Sequence, residues 1–309
     1  MSLSLCDWRS LGERSWRFGR WRCSGSVAGD AGLGFGAGDR VMSAIQAERA
    51  VGDRSGWRAV AIPSEHGGWG LTLEPVLVGL LVAWSGAGVA LGIAAFTAFL
   101  LRTPAKLVAV DVRRGRWLDR SRLALRIAII ELVVLGVAVA VVVASAGWSW
   151  LVPVAVAGPL VAIELSFDIR SRGRRLLPEL CGAIGIAAVA ASIVVAADRS
   201  TGLAIGVWLV LAARAVGAIP FVRVQIMRLR RGHGPVWQSD LAQMIAVAIA
   251  TLAAFVDGRL LPGVVGVVML ALTQAVWVRR APIPARQVGL RQMVLGLALV
   301  AVTAVGVLW

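Results

Sequence analysis

Residues 202–222 read GLAIGVWLVLAARAVGAIPFV, and Arg223, Arg228, Arg230 and Arg231 follow at once. An apolar run of about twenty residues, at about 1.5 Å per residue, spans a hydrocarbon core of roughly 30 Å. Arginines just beyond it belong at the lipid–water boundary. The stretch therefore predicts a helix that crosses a membrane and emerges on a basic face.

The same alternation recurs along the chain. Apolar runs at about 71–86, 87–102, 123–146, 148–166, 180–197, 202–222, 241–256, 260–278 and 290–309 predict nine spans. Only Ser85-Gly86-Ala87-Gly88 separates the first two, which leaves eight- and ten-span readings open. The runs are continuously apolar and lack two-residue alternation, so the prediction is an all-α polytopic bundle and not a barrel. A chain of 309 residues that is 58% hydrophobic, with a mean hydropathy of +0.80, is not a soluble domain.

The formal charge of +15 is spread over short loops and forms no separate basic domain, so nucleic acid is not the expected partner. Arg102, Lys106, Arg113, Arg114, Arg116, Arg120 and Arg122 follow the second run, and Arg170, Arg172, Arg174 and Arg175 follow the fourth. Arg223, Arg228, Arg230 and Arg231 follow the sixth, and Arg279, Arg280 and Arg286 the eighth. The intervening loops carry Arg199 and Arg259. This alternation predicts a cytoplasmic N-terminus, an external C-terminus and an odd number of spans.

The first forty residues differ in kind. They mix Arg and Trp, turn Gly-rich, and contain no apolar core long enough for a signal peptide. Residues 1–60 are expected to be a disordered or mis-started extension, with Met42 as a candidate start, and 61–309 to be the membrane domain. Cys6, Cys23 and Cys181 have neither disulfide nor zinc-site spacing.

Candidate chemistry gathers at helix ends. In I-P-S-E-H-G-G-W-G, residues 62–70, Glu65 supplies a carboxylate and His66 a group that titrates near neutral pH; they are the candidate catalytic pair. His233 reads as a loop residue. Segments beginning at Arg102 and Arg214 align weakly without gaps, so that Val110 meets Val222 and Val112 meets Val224, as in a bundle of two like halves. Arg102, Lys106 and Arg113 fall near one helical stripe, and Arg214, Gln225 and Arg228 near another. Arg102, Lys106, Arg214, Arg223 and Arg228 are therefore candidate ligands for an anionic group, against the plainer reading that they snorkel to headgroups.

Five carboxylates sit near or within apolar runs: Glu74, Glu131, Glu164, Asp168 and Glu179. Local pairs, Asp168 with Arg172 and Glu179 with Arg175, are the plain expectation. Glu74 and Glu131 have no cation within a helical turn and are candidates for a midplane site.

P-S-E-H-G-G-W-G-L-T-L-E-P from Pro63, R-T-P-A-K from Arg102, R-R-L-L-P-E-L-C-G from Arg174 and R-A-V-G-A-I-P-F-V-R-V-Q-I-M-R from Arg214 together resemble the YwiC-like family of bacterial membrane proteins, over roughly residues 60–309. That resemblance implies a multi-pass protein of the bacterial cytoplasmic membrane and no defined reaction. Nine spans with polar segments after the second and sixth are also similar to the UbiA prenyltransferase superfamily, which implies an isoprenyl diphosphate or other lipid held between those segments. The Asp-rich magnesium motifs of that superfamily are missing. Only Asp111 and Asp119 follow the second run, and no carboxylate precedes Asp240 after the sixth, so magnesium is unsupported and no cofactor is identified.

The expected function is binding or transfer of an amphiphile with an anionic, diphosphate-like head at a basic mouth. A solute or ion transporter using Glu74 and Glu131, and a non-catalytic accessory protein, stand beside it. Whether the chain is an enzyme is left open.

Overall fold

The computed structural model describes Trp57, Val60 and residues 66–115, 117–170 and 175–309. The expectations for residues 1–60, Met42 and Glu65 lie outside the described residues, apart from Trp57 and Val60, which are helical.

Nine helices run through the described residues: α1 His66–Val82, α2 Gly86–Arg113, α3 Asp119–Ala146, α4 Leu151–Ile169, α5 Leu176–Ala196, α6 Thr201–Arg231, α7 Val236–Val256, α8 Leu261–Trp277 and α9 Ala285–Leu308. Eight, α2 to α9, are long and apolar enough to cross a membrane. The described residues form an all-helical, multi-pass membrane protein. The first expected span, α1, has 17 residues, or about 25 Å; α8 has the same length and reaches a span of 20 residues with the 3-10 turn Gly258–Leu260 before it.

Local chemistry sets the breaks. Ser85 accepts from the Gly88 amide at 2.9 Å to start α2, and Ser200 accepts from the Leu203 amide at 3.3 Å to start α6. Gly232 ends α6 in the left-handed conformation, at φ 75°, which a glycine adopts without a Cβ penalty. Pro104 and Pro220 lie inside α2 and α6 without ending them. Both helices run well past their apolar portions, to Arg113 and Arg231, because Arg, Lys and Gln are good helix formers.

Six helices close a ring in which α1 packs on α5, α5 on α6, α6 on α7, α7 on α8, α8 on α9, and α9 back on α1. Small residues bring the backbones close: Ala187, Ala190 and Ala191 of α5 meet Val78 and Val82 of α1 and Leu203 and Val207 of α6, while Ala246, Ala250 and Ala253 come from α7. Outside the ring, α2 covers α1 and α5, α3 packs along α2, and α4 along α5. The outer helices expose Ile129, Ile130, Leu132, Val133, Val152 and Val156, the surface that a bilayer covers.

Candidate functional site

The ring helices carry a layer of buried polar residues: Glu74 from α1, Arg214 from α6, Gln243 from α7, Gln274 from α8 and Gln292 from α9. Each interrupts an otherwise apolar span, and each must find a partner inside the protein, because lipid offers none. Nη2 of Arg214 lies 3.6 Å from Oε1 of Glu74, and the two side chains are 4% and 5% exposed. The same Nη2 donates to the Gln292 carbonyl at 2.7 Å. From there the amides continue: Gln274 Nε2 donates to Gln292 Oε1 at 3.4 Å, and Gln243 Nε2 donates both to Gln274 Oε1 and to the Gly217 carbonyl, each at 2.9 Å. Two glycines make room. A methyl group on Gly296 of α9 would overlap the Glu74 carboxylate, and one on Gly217 would stand 2.9 Å from Gln243 Oε1.

The network is incompletely satisfied. Nε and Nη1 of Arg214 and Nε2 of Gln292 are buried without a hydrogen-bond partner. An arginine has five donors and stays charged at any ordinary pH, so this buried guanidinium depends on its counter-ion.

Next to Gln292 lies a cavity of about 600 Å³, lined by Phe221 and Gln225 of α6, Trp277 of α8, Val288, Arg291 and Gln292 of α9, and Arg280, Ala281 and Ile283 of the turn between α8 and α9. Its volume is that of a small-molecule site. Phe221, Trp277, Ile283 and Val288 form an apolar wall. Arg280 and Arg291 add two positive charges, and the Arg291 guanidinium stacks over the Trp277 ring at 5.0 Å. Gln225 donates to the Trp277 carbonyl at 2.9 Å, leaving its Oε1 buried without a partner. Arg228 fastens this corner, donating to the carbonyls of Val278 and Arg280.

The remaining candidates form a separate set of ion pairs at the Arg-rich ends. Arg102 meets Glu164 at 2.9 Å and Asp168 at 3.2 Å, and Lys106 meets Asp168 at 2.6 Å. Arg223 pairs with Glu179 at 2.8 Å. Asp168 pairs across to α2, and the expected Glu179–Arg175 pair is corrected, because Arg223 of the neighbouring α6 comes within hydrogen-bonding reach of Glu179. Arg172 lies outside the described residues. Gly182 of α5 provides the space that the Glu164 carboxylate fills. Asp111 accepts from Ser121 at 2.7 Å and Arg120 at 3.3 Å, and Arg279 grips Asp240 at 2.9 and 2.8 Å.

Glu131 is half-buried on α3, with Oε2 unpartnered, and stands apart from Glu74, which faces α6 and α9. His66 opens α1, and His233 lies in the exposed loop after α6. Cys181 is a free, buried thiol. Of the candidate anion ligands, Arg214 reaches the buried layer and Arg228 the cavity's corner. Gln243, Gln274, Gln292, Trp277, Arg280 and Arg291 were not singled out as site residues. The available signal was one glutamine set within each of the last three apolar runs.

Residues 62–197 match the model of the YwiC-like protein family. The YwiC-like segment takes in α1 to α5, including Glu74, and ends before α6. Arg214 and the cavity lie beyond it, so the match is narrower than the resemblance read from residues 60–309. No curated protein and no solved structure matches the chain.

Proposed function

We propose that this membrane protein binds an amphiphilic organic anion at the Arg-rich end of its helical ring. The observation that carries the reading is the cavity of about 600 Å³, which combines two arginines, two buried glutamines with unpartnered atoms, and an apolar wall of Phe221, Trp277, Ile283 and Val288. Arg280 and Arg291 hold a carboxylate, sulfonate or phosphate head by charge-assisted hydrogen bonds, and the apolar wall takes the tail or ring. Arg102, Lys106 and Arg223 are engaged with carboxylates in this conformation and fix helices rather than ligand. A lipid with a diphosphate head falls within this class, as does a smaller aromatic acid.

The test uses the full chain in phosphatidylcholine nanodiscs, with tritiated geranyl diphosphate and tritiated 2-naphthalenesulfonate as probes in equilibrium dialysis. Saturable retention of at least one probe is expected, weakened tenfold or more by Arg280→Ala with Arg291→Ala. Equal retention by that double variant, or no retention of either probe by the unaltered protein, overturns the reading.

A further inference from the structure

We infer that an incoming anion displaces Glu74 as the counter-ion of Arg214, so that anion binding is coupled one-for-one to uptake of a proton by Glu74. The inference rests on the binding site proposed above and adds a second station to it.

The argument is one of charge balance. Arg214 is 96% buried among apolar helices and cannot lose its proton, so the layer tolerates it only with one negative charge alongside. Without ligand, that charge is the Glu74 carboxylate. The contact is loose for an ion pair, at 3.6 Å, while Nη2 is committed to the Gln292 carbonyl and Nε and Nη1 are unpartnered. Arg214 therefore has donors to offer a second anion. Two negative charges beside one guanidinium would restore the imbalance with opposite sign, and a proton on Glu74 removes it. In the exchange one O–H bond forms on Glu74, Arg214 stays charged, and the anion supplies the negative charge that Glu74 gave up.

Gln292 provides the route. It lines the cavity, gives its carbonyl to Arg214, and carries a buried, unpartnered Nε2. Gln292 thus lies between the cavity and the guanidinium, and its unpartnered Nε2 can donate to an anion that passes from one to the other.

Among the described residues, no other charged group of the helices around α1 acts on Glu74. Arg214 of α6 is the charged group that acts on Glu74. On α2, Arg102 and Lys106 are held by Glu164 and Asp168, and Asp111 by Ser121 and Arg120. On α5, Glu179 is held by Arg223 and the Cys181 thiol is acted on by Glu164. On α9, Arg291 stacks on Trp277, and Gly296 and Gln292 are what the helix presents to the pair. His66 begins α1 itself, about two turns before Glu74.

The experiment counts protons as well as probe. The full chain in phosphatidylcholine nanodiscs, in weak buffer with a pH indicator, is titrated with 2-naphthalenesulfonate, whose head stays ionised throughout and brings no proton of its own. About one proton taken up per probe bound is expected wherever Glu74 starts ionised, with affinity falling about tenfold per pH unit there. In Glu74→Gln both the uptake and the pH dependence should vanish. Proton uptake persisting in Glu74→Gln, or pH-independent binding by the unaltered protein, overturns the exchange. In the second case, loss of binding in the Arg280/Arg291 double variant leaves the binding site standing. Absence of 2-naphthalenesulfonate binding by the unaltered protein overturns the exchange, and absence of geranyl diphosphate binding as well overturns the binding site. Should Glu74→Gln fail to fold, the proton count on the unaltered protein still decides.

Discussion

Oε1 of Glu74 on α1 lies 3.6 Å from Nη2 of Arg214 on α6, and the Glu74 carboxylate fills space that a side chain at Gly296 of α9 would need. Three helices from the beginning, middle and end of the chain thus meet at one ion pair. Removing Glu74 leaves the Arg214 charge buried and uncompensated, at a cost of about 3–5 kcal/mol, whereas Glu74 left without Arg214 can neutralise itself with a proton and costs less. Arg214→Gln and Glu74→Ala should each lower the unfolding temperature in nanodiscs. The double variant should lose clearly less than the two single losses together, because no lone charge remains. Strict additivity would mean that the two groups do not interact.

Gly296 offers a test by volume alone. Gly296→Ala drives a methyl group into the Glu74 carboxylate, and overpacking of this kind costs about 1–3 kcal/mol. Combining it with Glu74→Ala frees the space, so that Gly296→Ala adds almost nothing on that background. Thermal unfolding of the four proteins measures this directly. An unchanged penalty in the double variant would show that the Gly296 methyl clashes elsewhere.

The helices were legible because length and continuous apolarity decide a membrane span, and those properties are local. Their ends were less so: α2 and α6 continue to Arg113 and Arg231, since nothing after Leu101 or Val222 stops a helix until the glycines at 115 and 232. The ion pairs were not legible. Asp168 could be matched only with neighbours in sequence, such as Arg172, whereas Arg102 and Lys106 reach it through packing. Glu74 looked isolated because its cation is on α6. The cavity was hidden for the same reason: Phe221, Trp277 and Arg291 belong to three different helices, and no spacing along the chain announces their meeting.

Asp168 joins two outer helices through half-exposed cations. The side chains of Arg102 and Lys106 are 42% and 51% exposed, which screens their attraction to the carboxylate. Asp168→Asn should therefore lower stability by only about 1 kcal/mol at low ionic strength. The difference from the unaltered protein should shrink as salt is raised toward 1 M, where the Debye length falls to about 3 Å. Unfolding temperatures across a salt series check this, and a salt-independent loss would point to packing.

Asp257 controls the turn between α7 and α8, and its acid response has a definite sign. Its carboxylate accepts from the Arg259 side chain at 3.0 and 2.7 Å and from the Arg259 amide at 3.1 Å. The hydrogen bond from the Arg259 side chain, helped by the amide and the charge of the same residue and opposed by burial, holds its carboxyl below the usual aspartate value. A carboxyl with a depressed folded pKa adds stability that is present above the unfolded value of about 3.9 and is lost as pH falls through the folded one. The unaltered protein should thus keep this contribution near neutral pH and lose it progressively below about pH 4. Asp257→Asn retains an acceptor oxygen for the turn but removes the charge. It should lower stability by about 1 kcal/mol near neutrality, and by progressively less as the solution is acidified. The two unfolding curves should converge below pH 4. A gap that persists there would assign the role of Asp257 to shape rather than to its negative charge.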